Sequence, residues 1–250
     1  MSDIALINDS QQSAIVTNGI GKNGEIYMKA AGSTDAGALV VYDSGNWRKF
    51  ADEASSYSNA YSVSFDGSND FVSFGSVTAL NSASAFSVSA WYKKVSTSNA
   101  GMIVGTGTYS ASFYIQHFND NNIYIGHGST YASVSATQDT DWHHVAYVTD
   151  SGTHKLYWDG TDMSLGGTPP STTASNLGDT FYLGRWHSYH GHFGGNIDEV
   201  AVFNTALSAS NVTAIYNSGV PADISSLSPV GWWRMGDNDS GTGTTITDQG

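Results

Sequence analysis

The side chains best suited to chemistry stand together in Arg185-Trp-His-Ser-Tyr-His-Gly-His-Phe193. Its histidines, His187, His190 and His192, are of the right type for a zinc site, which would need three or four ligands converging at about 2.0–2.1 Å. Alternatively, Trp186 offers a face on which a sugar ring can stack, while His187, Tyr189 and His190 supply hydrogen-bonding groups. The same segment also suits a long inter-strand loop whose rings cap a sheet edge or meet a neighbouring subunit. A second aromatic set, Tyr109, Tyr114 and His117, is spaced to line a concave face. His143 and His144 follow Trp142 at a strand start, so one is expected exposed and the other buried, with neither catalytic. Trp91, Trp142 and Trp158 read as packing residues. There is no Gly-x-Ser-x-Gly elbow for a serine nucleophile, and with no cysteine there is no thiolate or disulfide.

The elements that must position these groups alternate with period 2. In Phe86-Ser-Val-Ser-Ala-Trp-Tyr92, residues 86, 88, 90 and 92 share one face and 87, 89 and 91 the other. Further strands are expected at 61–65, 71–74, 102–104, 112–117, 123–126, 142–149, 154–158, 180–184, 196–203 and 230–235. Asp66-Gly67 and Asp159-Gly160 supply tight turns between them. One helix is expected over 209–217, with Ser208 as N-cap and Gly219 past its end. So many short strands at this spacing indicate an all-β sandwich or barrel.

Residues 1–55 carry little apolar mass beyond one predicted hairpin, Ala38–Tyr42 with Trp47–Phe50, and read as an arm that docks on another chain. Residues 51–60 read as a linker, 56–235 as the main domain, and 236–250 as a flexible tail or the start of a truncated further unit. Nine basic residues against 22 acidic ones, a formal charge of −13, leave no surface for neutralising nucleic-acid phosphates. No secretory leader and no membrane span can be read.

Phe65-Asp-Gly-Ser-Asn-Asp-Phe-Val72, Phe86-Ser-Val-Ser-Ala-Trp91, Trp142-His-His-Val145, Leu156-Tyr-Trp-Asp-Gly160, Tyr182-Leu-Gly-Arg185 and Gly195-Asn-Ile-Asp-Glu-Val-Ala-Val-Phe203 follow one another in order. Together with Ala206-Leu-Ser208, they make the chain from residue 61 resemble the laminin G-like, concanavalin A-like lectin/glucanase superfamily. The resemblance implies an antiparallel jelly-roll sandwich. It also implies a structural calcium held by Asp66 and Asp198, with Asn69 or Asp70 as further donors. The alternatives are that Asp66 bonds its own turn and that Asp198 pairs with Arg185 or caps a strand end. Gly231-Trp-Trp-Arg-Met-Gly-Asp237 resembles the opening strand of such a domain, so it either completes this jelly roll or begins another.

Glucanases in the superfamily raise the question of paired carboxylates, which retaining glycosidases hold about 5–5.5 Å apart and inverting ones about 6.5–9.5 Å. Only three glutamates exist, Glu25, Glu53 and Glu199, and two lie outside the sandwich, so an enzyme is not expected. The first 55 residues resemble leading segments of tailed-phage structural proteins. The expected protein is a virion component, assembled in the host cytoplasm, that displays a lectin-like jelly roll for adhesion to a cell-surface glycan. Residues 1–55 would attach it to other virion proteins, and a homo-oligomer, favoured as a trimer, is expected by analogy with viral fibres. The alternative is a purely structural capsid or tail protein that binds no glycan.

Overall fold

The structure, a computed structural model, describes residues 57–81, 83–106, 113–127, 130–167, 180–185, 191–237, 241 and 245–250, together with strands at 5–7, 26–29, 39–43 and 46–49. The chain divides into two compact units, Met1–Tyr57 and Ser58–Gly250. The first holds a four-stranded sheet of β1 (Ala5–Ile7), β2 (Ile26–Lys29), β3 (Leu39–Asp43) and β4 (Asn46–Lys49), paired in that order. Strands β3 and β4 form the expected hairpin, with Tyr42 opposite Trp47. Beside it lies β2, antiparallel to β3, and then β1, parallel to β2. These last two strands are too short for an alternating pattern to reveal.

The second unit is an antiparallel sandwich of two sheets. Its strands are β5 (Val63–Asp66), β6 (Val72–Ser76), β7 (Ala85–Lys94), β8 (Gly101–Thr106), β9 (Phe113–His117), β10 (Asn122–His127) and β11 (Thr130–Ser135). They continue with β12 (Trp142–Asp150), β13 (Thr153–Trp158), β14 (Thr161–Met163), β15 (Gly166–Gly167), β16 (Thr180–Leu183), β17 (Gly194–Phe203) and β18 (Gly231–Trp233). One sheet runs β15-β11-β10-β9-β8-β16-β6, the other β14-β13-β12-β7-β17-β18, with β5 also on β17. As the alternation predicts, Phe86, Val88, Ala90 and Tyr92 enter the core between the sheets, where Phe113, Ile115 and Phe181 meet them. Burying each large apolar side chain stabilises the sandwich by about 1.5–3 kcal/mol.

The opposite face of β7 is buried as well, under the segment that follows β17. There Ser87 Oγ donates to Thr205 O and accepts from Leu207 N, and Trp91 stacks on Tyr216 of helix α1 (Ala209–Tyr216). Ser208 caps that helix, its Oγ accepting from Asn211 N at 3.1 Å. The helix ends at Asn217, left-handed at φ +43°, two residues before the expected Gly219.

Polar groups inside the sandwich are chained together. Trp158 Nε1 donates to Tyr92 Oη at 3.2 Å, and Tyr92 Oη meets His117 Nδ1 at 2.9 Å. His117 Nε2 meets Ala136 O at 3.0 Å; a carbonyl only accepts, so Nε2 carries the proton and Nδ1 accepts from Tyr92. Burial pushes the His117 pKa down to about 4, which keeps the ring neutral.

Candidate functional site

β17 is served along one edge by β7, whereas its other edge is shared by two short strands: β5 opposite Gly194–Ile197 and β18 opposite Val200–Val202. Asp198 and Glu199 fall in the gap between them. The register with β7 shifts here and Glu199 adopts φ +46°, so a bulge breaks the in–out alternation and re-aims both carboxyls. Gly195, at φ +142°, allows close approach: a Cβ there would lie 2.0 Å from Lys93 O.

The two acids part company at the bulge. Glu199 turns to β18, accepting from Trp232 Nε1 at 2.6 Å and Arg234 Nε at 3.1 Å. Asp198 stands opposite Trp91 on the face away from the core and accepts from its neighbour's backbone, Glu199 N, at 2.7 Å and from the Asn59 side chain. Asp237 completes the group, accepting from Ala60 N at 2.9 Å and Tyr61 N at 3.4 Å. One carboxyl oxygen of each of the three lies within 4.8 Å of the others. Burial first, and then the Glu199 charge, raise the Asp198 pKa to about 8.

Beside Asp198 opens a cavity of about 350 Å³ with aromatic walls, Tyr61, Trp91 and Trp142, and polar edges, Asn59 and Ser62. Trp91 is buried, but Trp142 is 39% exposed and Tyr61 47%. Trp142 is therefore not the packing residue expected of it. Aromatic faces beside a few convergent polar groups, one of them a carboxyl of perturbed pKa, are the usual make-up of a small-ligand site. Of the three clustered acids only Asp198 lines the cavity, so no opposed carboxyl pair of glycosidase type faces it among the described lining residues.

Those of the residues singled out in the sequence that the structure describes are dispersed. Trp186, His187, Tyr189, His190 and Tyr109 lie outside the described residues. Arg185 sets its guanidinium over Phe71 at 3.5 Å and Tyr182 at 4.4 Å, and makes no pair with Asp198. Tyr114 and His117, three apart in one strand, fall on opposite faces. His117 enters the core, while Tyr114 lies flat over Gly126, where a Cβ would come 1.9 Å from its ring. That packing leaves Tyr114 9% exposed, so it serves as a glycine cover and not as the expected open sugar platform. His144 is buried, as one of the histidine pair should be, with Nε2 2.8 Å from Ser89 Oγ.

A calcium shared by Asp66 and Asp198 does not fit these positions. Asp66 lies opposite Gly194, four residues along β17 from Asp198. Its Oδ1 accepts from Ser68 N at 2.7 Å and Asn69 N at 3.2 Å, while Asp70 Oδ2 accepts from Asp66 N at 2.9 Å. The turn thus satisfies its own acids, and those backbone bonds hold the Asp66 pKa below its usual value. Asn59, from the expected linker, and Tyr61, from the start of an expected strand, were invisible as site residues because only the β5–β17 register brings them to Asp198.

A family model, Laminin_G_3 of the concanavalin A-like lectin/glucanases superfamily, matches residues 66–213, more than half of the chain. No curated protein matches it. Among solved structures, the CBM40 of Ruminococcus gnavus IT-sialidase, bound to α2,3 sialyllactose, is similar at 15% identity with a TM-score of 0.52, over 63% of this chain and 96% of that one. The heptameric SAP-like pentraxin of Limulus polyphemus is similar at 16% identity with a TM-score of 0.50, over 62% and 81%. The leech intramolecular trans-sialidase is similar at 14% identity with a TM-score of 0.51, over 65% and 28%.

Proposed function

The chain belongs to the concanavalin A-like lectin/glucanase superfamily, and on that premise we propose that its sandwich is a non-catalytic glycan-binding module whose sugar site is the cavity beside Asp198. The observation that carries the reading is the convergence of Trp91, Trp142 and Tyr61 with Asn59, Ser62 and Asp198 around one opening. Aromatic rings take the apolar face of a sugar, and amide, hydroxyl and carboxyl groups take its hydroxyls. The similar R. gnavus domain carries a sialylated trisaccharide, in keeping with a binding role on this fold. Trp186, His187, Tyr189, His190 and Tyr109 are proposed as further contacts of the same kind.

The finer proposal is that the module is carried on a tailed-phage particle, held through residues 1–55 and directed at a host-surface glycan. Its support is the resemblance of that leading segment to phage structural proteins. Screening the full chain on a glycan array, then measuring the best ligand against Trp142→Ala, tests the site. Because Trp142 is half exposed, the variant should fold normally and lose about tenfold or more in affinity. Undiminished binding would move the site elsewhere, and no binding to any glycan would favour the purely structural role.

A further inference from the structure

We infer that the cavity selects glycans bearing a free amine, with Asp198 receiving the ammonium beside the exposed indole of Trp142. This rests on the glycan-binding reading and names the sugar class the site prefers.

The charge around the opening gives the argument its direction. Among the described residues the lining holds one acid, Asp198, and no Lys, Arg or His. Behind it stand Glu199 and Asp237, each with an oxygen within 4.8 Å of the others. The cation in that group, Arg234, is engaged by Glu199 through Nε and by Ser58 O through Nη2. Lys93 sits on the same sheet face in the next row, opposite Trp142 and Asn196, but does not line the cavity. An acidic sugar entering here would meet a carboxyl and no guanidinium or ammonium to receive it.

A sugar amine is suited on two counts. Asp198 is 4% exposed and keeps its proton at neutral pH, so a free amine brought to it takes that proton, and the ammonium–carboxylate pair so formed sits in a medium poorer in water than the surface, where it is screened less. Indole faces attract cations through the ring quadrupole, and the attraction grows when water is excluded. The molecule's formal charge of −13 draws such a ligand from a distance, while the cavity decides where it stops.

The test compares three trisaccharides on the full chain by calorimetry: the fully deacetylated glucosamine trimer, its fully N-acetylated counterpart and 3′-sialyllactose. The two glucosamine trimers share a backbone and differ in the amine. The amine form is expected to bind at least tenfold more tightly than the acetylated form, and sialyllactose not at all. Asp198→Asn should erase the preference while the acetylated form keeps its affinity, and Trp142→Ala should weaken both. Equal affinity for the two trimers, or preference for the sialylated sugar, would overturn the inference and leave glycan binding standing. A preference surviving Asp198→Asn would trace to overall charge and would also overturn it. Should none of the three bind, nor any sugar on the array, the glycan reading falls and takes the inference with it.

Discussion

Asp198 shows how a residue can be held against its own stability. Its pKa is raised from 3.8 to about 8, so the folded state keeps a proton that the unfolded chain gives up readily. Its contribution is therefore favourable at low pH and is lost as pH rises from about 4 to about 8. Asp198→Asn removes that slope. Its melting temperature should exceed that of the parent by about 2 °C or more at pH 8, and the difference should vanish near pH 4. A variant that is no more stable at pH 8 would show that Asp198 is ionised at no cost. At this scale the sequence was readable where chemistry is local: the Asp66 turn closes on itself, and His144 is buried beside the more open His143. It was opaque wherever distant segments meet. Nothing near Asn59 or Tyr61 announces a carboxyl brought from residue 198.

Among the elements, β18 carries weight out of proportion to its three residues. Trp233 stacks on Phe74 at 4.1 Å with the rings nearly parallel, tying the edge of one sheet to β6 of the other. Arg234, just beyond the strand, answers Glu199 across the bulge. Trp233→Ala should cost about 3–5 kcal/mol, read as a fall in the urea midpoint with little change in slope. A loss below about 1 kcal/mol would mean that the strand is an ornament. The sequence left two fates open for residues 231–237, and pairing with β17 completes this jelly roll. Residues 245–250, expected as tail or new unit, turn back to β18, with Gln249 N donating to Trp232 O at 2.7 Å. Long strands such as β7 and β12 were legible because ten or nine residues carry several cycles of alternation. β14 and β15, of three and two residues, carry none. In β11, Thr130-Tyr-Ala-Ser-Val-Ser135, hydroxyl side chains blur the pattern.

For the whole molecule, the chain divides into residues 1–57 and 58–250, and the Ser-containing stretch at 51–60 is the expected linker. Limited proteolysis should cut within about residues 51–60 and leave a resistant sandwich. Complete protection of that stretch in monomeric protein would remove the proposed attachment arm. The arrangement of β17 also governs when the sandwich can mature. Its free edge is filled from both ends of the domain, by β5 from residues 63–66 and by β18 from residues 231–233, about 165 positions later in the chain. During synthesis on the ribosome, β17 emerges with half of that edge open and Glu199 without its guanidinium. Asp237, too, has yet to reach the backbone of Ala60 and Tyr61. The clasp beside Asp198 therefore closes last, once residues 231–237 have cleared the exit tunnel, paired with β17 and reached the backbone of Ala60 and Tyr61, made long before.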